Sequence, residues 1–147
     1  MKLTNSILIM FIGSFIIQYF IMPPMMVNNT IYITNNIGKV YMATFMGLFM
    51  VLLEIMMHDH QYSVLSLNWY VILISLLTLF VYLYRNQVAI NDEQYLKGMI
   101  EHHSMAVFTS DEILKKTDNY DIAKLAKNIK SQQTDELRIM NKLINKL

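Results

Sequence analysis

The charged side chains of this chain are segregated along it, and that segregation constrains the fold more than any motif does. Of the 12 Lys and Arg, only Lys2 and Lys39 precede Arg85; of the 11 acids, only Glu54 and Asp59 do. The first 84 residues therefore carry four charges and the last 63 carry nineteen. Such a split describes a membrane-embedded half followed by a water-exposed tail. Long apolar stretches exclude disorder, which needs low hydrophobicity and high net charge. A formal net charge of +1 provides no basic field to recruit nucleic acid. Cysteine is absent, which removes disulfides, thiolate nucleophiles and thiolate zinc sites together.

Three apolar runs divide the first half. Residues 6–22 form the first, with Gln18 its strongly polar member, and about 40–57 and 64–84 form the second and third. Each approaches the ~20 helical residues that cross a ~30 Å hydrocarbon layer. Lys2 ahead of the first run resembles a signal peptide, but no small-residue cleavage site follows and Pro23-Pro24 ends the run, so it reads as a retained anchor. The third run begins with Trp69-Tyr70 and ends with Tyr82, Tyr84 and Arg85, residues that favour the two membrane interfaces. Residues 27–38 read as a polar, Asn-rich loop. Residues 1–85 are thus a three-helix membrane domain, in contact with lipid.

Beyond Asn86 the pattern becomes amphipathic. Asn91 suits a helix N-cap with Gln94 three residues on, and apolar residues from Tyr95 to Leu114 recur at threes and fours. Lys115-Lys116 suit a helix end, Thr117-Asp118-Asn119 a turn with Asp118 as the next cap, and Ile122 to Ile144 a second seam. Residues 86–147 therefore form an antiparallel helical hairpin. The expected fold is all-α: three transmembrane helices, then this hairpin. One seam is little core for about 55 residues, so the hairpin is expected to complete a four-helix bundle as a homo-oligomer or to dock on the membrane portion.

A turn near 117–118 predicts that Met99 faces Glu136, His103 faces Gln132 and Met140 faces Tyr95. The two apolar seams are then interrupted by one polar layer of His103, Gln132 or Gln133, and Glu136, flanked by Met99 and Met140. Unpaired buried polar groups cost roughly 1–3 kcal/mol, so this layer is either internally hydrogen-bonded or an ion site. A core histidine satisfied by Gln133 and a metal ligand both meet that requirement.

Met99-Ile100-Glu101-His102-His103-Ser104-Met105, followed by Gln133-x-x-Glu136-Leu137-x-x-Met140, resembles the domain-of-unknown-function 305 family across residues 92–147. That resemblance implies a small helical, ferritin-like domain, and copper handling through Met99, His102, His103, Met105 and Met140 by an extracytoplasmic protein. The three preceding spans resemble a membrane-anchored branch of the family. Glu101 departs from the pattern, because many members carry Pro there. Thioether and imidazole donors suit Cu(I), whereas Mg²⁺ or Ca²⁺ require more carboxylates. His102 and His103 point about 100° apart on one helix, so they do not readily chelate one ion together.

Met42, Met46, Met50, Glu54 and His58 form a second stripe along the middle span. Packing accounts for it, as does a soft-ligand route toward His58-Asp59-His60 serving a transporter accessory subunit. Lys39, Arg85 and Lys97 against Lys2 lean toward a cytosolic tail. The resemblance and the Cys-free site lean toward an extracytoplasmic one, which is the expectation retained. No nucleophile–base pair or phosphate loop points to an enzyme. The sequence thus predicts a membrane protein that binds, buffers or delivers copper; its rival is a structural or assembly protein whose hairpin mediates metal-free bundle formation.

Overall fold

The structure is a computed structural model and describes residues 3–147; Lys2, used above for orientation, lies outside them. Six α-helices follow in order among the described residues: α1 Leu3–Ile16, α2 Met22–Met26, α3 Ile37–Tyr62, α4 Leu67–Arg85, α5 Asp92–Leu114 and α6 Tyr120–Ile144. A π-helical turn, Ile17–Ile21, joins α1 to α2, and a 3-10 turn covers Thr30–Tyr32. No strand occurs among the described residues, so the chain is all-α as the periodicity requires. Two compact units result among the described residues, one of residues 3–21 and 37–89, the other of residues 22–36 and 90–147.

Three helical stretches are long and apolar enough to cross a membrane: Leu3–Met26, Ile37–Tyr62 and Leu67–Arg85. Their apolar surface faces outward, with Leu8, Ile9 and Val71 each 58% exposed. Apolar surface of this extent marks a face that contacts a membrane or another protein. The widened turn at 17–21 has a local cause. Pro23 and Pro24 have no N–H, so the carbonyls of Tyr19 and Phe20 lack their usual donors four residues on.

In the first unit α1 and α3 run antiparallel in close contact. A Cβ added at Gly47 would lie 2.8 Å from the Phe11 ring and 3.1 Å from the Phe11 carbonyl oxygen, so only glycine permits this approach. Further along α3, the Ser6 hydroxyl donates to the Glu54 carboxylate, so this acid is partnered within the unit. α4 returns along α3 after a short link organised by buried Asp59. Its carboxylate accepts from Ser66 N at 2.6 Å, from Ser66 Oγ at 2.8 Å and from the Tyr70 hydroxyl, which ties the last turn of α3 to the first of α4. Tyr41 packs edge-on against Phe80 at the far end.

The second unit is the hairpin of α5 and α6 together with residues 22–36. Asn91 caps α5, accepting from Gln94 N at 2.9 Å, as the sequence predicts. The α6 cap is Asn119 rather than Asp118, and its side chain accepts from Asp121 N and Ile122 N. Lys116 N and Thr117 N both still bond to the Ile113 carbonyl, so α5 winds one step further before the chain crosses to α6. The core holds Leu96, Ile100, Val107, Leu137 and Met140, with Met99, Tyr32 and Ile144 packed against it.

Residues 22–36, grouped with the membrane half by composition, belong structurally with the hairpin. Their polar side chains serve as partners for α5. Asn28 N donates to Ser104 Oγ at 3.2 Å, and Ser104 Oγ, fully buried, donates to Asn28 Oδ1 at 2.9 Å. Thr34 N donates to Glu101 Oε2 at 3.1 Å, and Thr34 Oγ1 donates to the Lys97 carbonyl at 2.7 Å. The segment is a strap along one side of α5.

Candidate functional site

The distinctive side chains lie in the middle of α5. His103 faces α6 and is almost completely buried. Its Nδ1–H donates to the Met99 carbonyl at 2.8 Å, and its Nε2 lies 2.7 Å from Glu136 Oε2. A carbonyl only accepts, so Nδ1 is the donor on that side, and Nε2 faces the carboxylate. In this arrangement both ring nitrogens are engaged by partners within the protein. Gln132 Nε2 donates to the other oxygen, Glu136 Oε1, at 3.2 Å, and so orients the carboxylate.

The polar layer is therefore internally hydrogen-bonded, with Glu136 rather than Gln133 as the partner of His103. The register is displaced about one turn from the expectation, which set His103 against Gln132. The extra winding at the end of α5 and the late cap of α6 account for the shift, because the turn is asymmetric and not centred on 117–118.

His102 is exposed on the neighbouring face, its ring 6.1 Å from that of His103 and nearly perpendicular to it. Among the described residues no hydrogen bond or ion pair holds that ring. Met99 and Met105, both half-buried, stand three residues before and three after it, and at helical spacing such positions lie on adjoining turns of one side. Met140 lies in the core against Leu96, Ile100 and Leu137. The five residues implied by the family pattern thus divide: Met99, His102 and Met105 lie together on α5, His103 is bound to Glu136, and Met140 fills the core. No cluster of three His, Cys, Asp or Glu with metal-holding geometry occurs among the described residues.

Electrostatics near this face are mild. Lys97 pairs with Glu93 at 2.5 Å, and Lys130 pairs with Asp111 between the helices. Lys115 is raised above the ordinary ammonium value by its hydrogen bond to Glu112 and then by that carboxylate's charge, well away from His102. Glu101, the departure from the family pattern, anchors the strap through Thr34. Sequence reasoning missed that role, and the only signal for it was the run of side-chain donors between Asn28 and Asn36.

These features define a class: an all-α protein of span-length apolar helices joined to a soft-donor helical hairpin. The chain belongs to the DUF305 family, a domain of unknown function whose family model matches residues 82–145. It is also 33% identical over 142 residues to an uncharacterised protein of Acanthamoeba polyphaga mimivirus, an alignment covering 96% of this chain and 92% of that one. No solved structure matches it.

Proposed function

We propose that this is an integral membrane protein whose hairpin binds Cu(I) through Met99, His102 and Met105, buffering or delivering the ion outside the cytoplasm. The observation that carries this reading is the Met–His–Met succession at steps of three on α5, with the His102 ring uncommitted while the adjacent His103 is held by Glu136. Two thioethers and one imidazole are a soft donor set that suits Cu(I) and serves Zn²⁺ poorly. The three span-length helices support membrane residence, and membership of the family supports the metal class. A tail outside the cytoplasm suits a site that needs no thiol, because thiols oxidise there.

A competitive Cu(I) titration of the full chain in detergent tests the assignment. Met99→Leu/Met105→Leu and His102→Ala are each expected to weaken binding by at least about tenfold, equivalent to ~1.4 kcal/mol. Met140→Leu, a volume-conserving change in the core, is expected to leave it unchanged. Equal affinity in all four proteins sinks the copper reading.

A further inference from the structure

The hairpin has a second apolar face that nothing in its own unit covers. On α6, Leu125, Ile129, Gln132, Glu136, Ile139 and Leu143 follow one another at intervals of 4, 3, 4, 3 and 4, the spacing of a coiled-coil seam. This seam is not the one facing α5. Leu125 is 60% exposed and Ile139 56%, while Ala126, Leu137 and Met140, on the adjoining stripe, are buried. α5 carries a matching stripe at the same intervals: Tyr95, Met99, His102, Ala106, Thr109 and Ile113, with Tyr95 and Ile113 exposed. Glu136 of the α6 stripe reaches across to His103, which neighbours His102 of the α5 stripe, so the two stripes lie on the same side of the hairpin. The strap contacts α5 through Lys97, Glu101 and Ser104, on its other side.

The α6 stripe reads nearly the same in both directions, whereas the α5 stripe is symmetric in spacing only. The α6 stripe is centred on Thr134, so Leu125 mirrors Leu143, Ile129 mirrors Ile139, and Gln132 mirrors Glu136. The α5 stripe is centred on Ser104, and His102 mirrors Ala106. Because His103 faces Glu136, these two centres lie within about one residue of the same level across the hairpin. A single two-fold axis perpendicular to the helices therefore satisfies both stripes at once. Self-complementarity of this kind is what an isologous interface requires.

We infer that this face binds a second copy of the chain, α6 against α6 and α5 against α5, each pair antiparallel, completing a four-helix bundle. Leu125 packs on Leu143 of the second copy and Ile129 on its Ile139. At the centre the Gln132–Glu136 pair, hydrogen-bonded within each copy, faces the same pair of the other copy, so the polar layer fixes the register where a uniformly apolar seam would slide. A parallel pairing instead opposes Glu136 to Glu136 in the middle of the interface, which like-charge repulsion disfavours. The inference goes beyond the copper assignment and stands on apolar spacing and polarity alone.

Cross-linking of the full chain in detergent, with a chelator present, separates the outcomes, since the chain has no native cysteine. Leu125→Cys and Leu143→Cys are made singly, purified, mixed and oxidised with diamide, with complete maleimide labelling confirming that both thiols are reachable. The antiparallel pairing predicts that mixed 125–143 disulfides dominate and that neither variant alone cross-links efficiently. Dominant 125–125 or 143–143 products overturn the pairing, and so does the absence of any product. As a second arm, Ile129→Lys/Ile139→Lys is introduced into both cysteine variants, which sets lysine against lysine across the proposed interface. The mixed cross-link is expected to disappear while helicity by circular dichroism is unchanged, because both isoleucines are exposed in the single chain. Retention of the cross-link in those proteins also overturns the inference.

Discussion

Glu101→Ala is the most direct test of how the strap is held. Glu101 Oε2 accepts from Thr34 N at 3.1 Å, while the one hydroxyl proton of Thr34 goes to the Lys97 carbonyl. Hydrogen bonds to a charged acceptor contribute roughly 1.5–3 kcal/mol when sheltered. Glu101 is only half-buried, and Thr34 Oγ1 keeps its bond to the Lys97 carbonyl, so the expected loss is about 1–2 kcal/mol. Local opening of the strap then becomes roughly 5- to 30-fold more frequent, and the Thr34 amide should exchange with deuterium faster by that factor. The α5–α6 core amides, which depend on other contacts, should not change. Hydrogen exchange of the full chain in detergent reads both. The Asn28 amide adds a second reading: acceleration there shows that the strap opens as one body, whereas unchanged protection shows that its Ser104 end holds independently. Unaltered exchange at Thr34 refutes the claim that Glu101 anchors the strap.

Gly47→Leu is expected to force α1 from α3, because even a Cβ meets the Phe11 ring at 2.8 Å; overpacking of this kind costs about 1–3 kcal/mol and should lower the thermal midpoint in detergent, while Gly13→Ala, whose Cβ meets nothing, should be neutral. Three membrane crossings predict that single cysteines at Ile31 and Tyr120 label from one side of the membrane and one at Gln61 from the other, with an impermeant maleimide on intact vesicles as the check. Shared labelling of Gln61 and Tyr120 from one side contradicts three crossings.

The fold class was legible because its signals are long and redundant. Four charges in the first 84 residues leave little alternative to apolar helices, and the seams of α5 and α6 repeat over several turns. The register across the hairpin was not legible to better than a turn. It depends on where α5 stops winding, and Lys116 and Thr117 continue bonding to Ile113 although neither residue type demands it. Asp118 and Asn119 are both good caps, so composition did not choose between them; backbone geometry chose Asn119. The strap was harder still. Residues 27–36 have the Asn-rich character of a solvated loop, and only the tertiary structure shows Asn28 and Thr34 turned onto α5.

That register decides the chemistry assigned to the two histidines. Had His103 faced Gln132, its Nε2 would have met a neutral side-chain amide in place of a carboxylate. Facing Glu136 instead, it meets an acceptor at each nitrogen and becomes a fixed part of the core. Under the proposed reading, the soft-metal role therefore falls to the exposed neighbour, His102. His102 then keeps Met99 and Met105 beside it at helical spacing, on a face that also meets the α5 stripe of the second copy. The helix presents three sides: Ser104 and Glu101 hold the strap, His103 locks α6, and His102 stands exposed three residues from Met99 and from Met105.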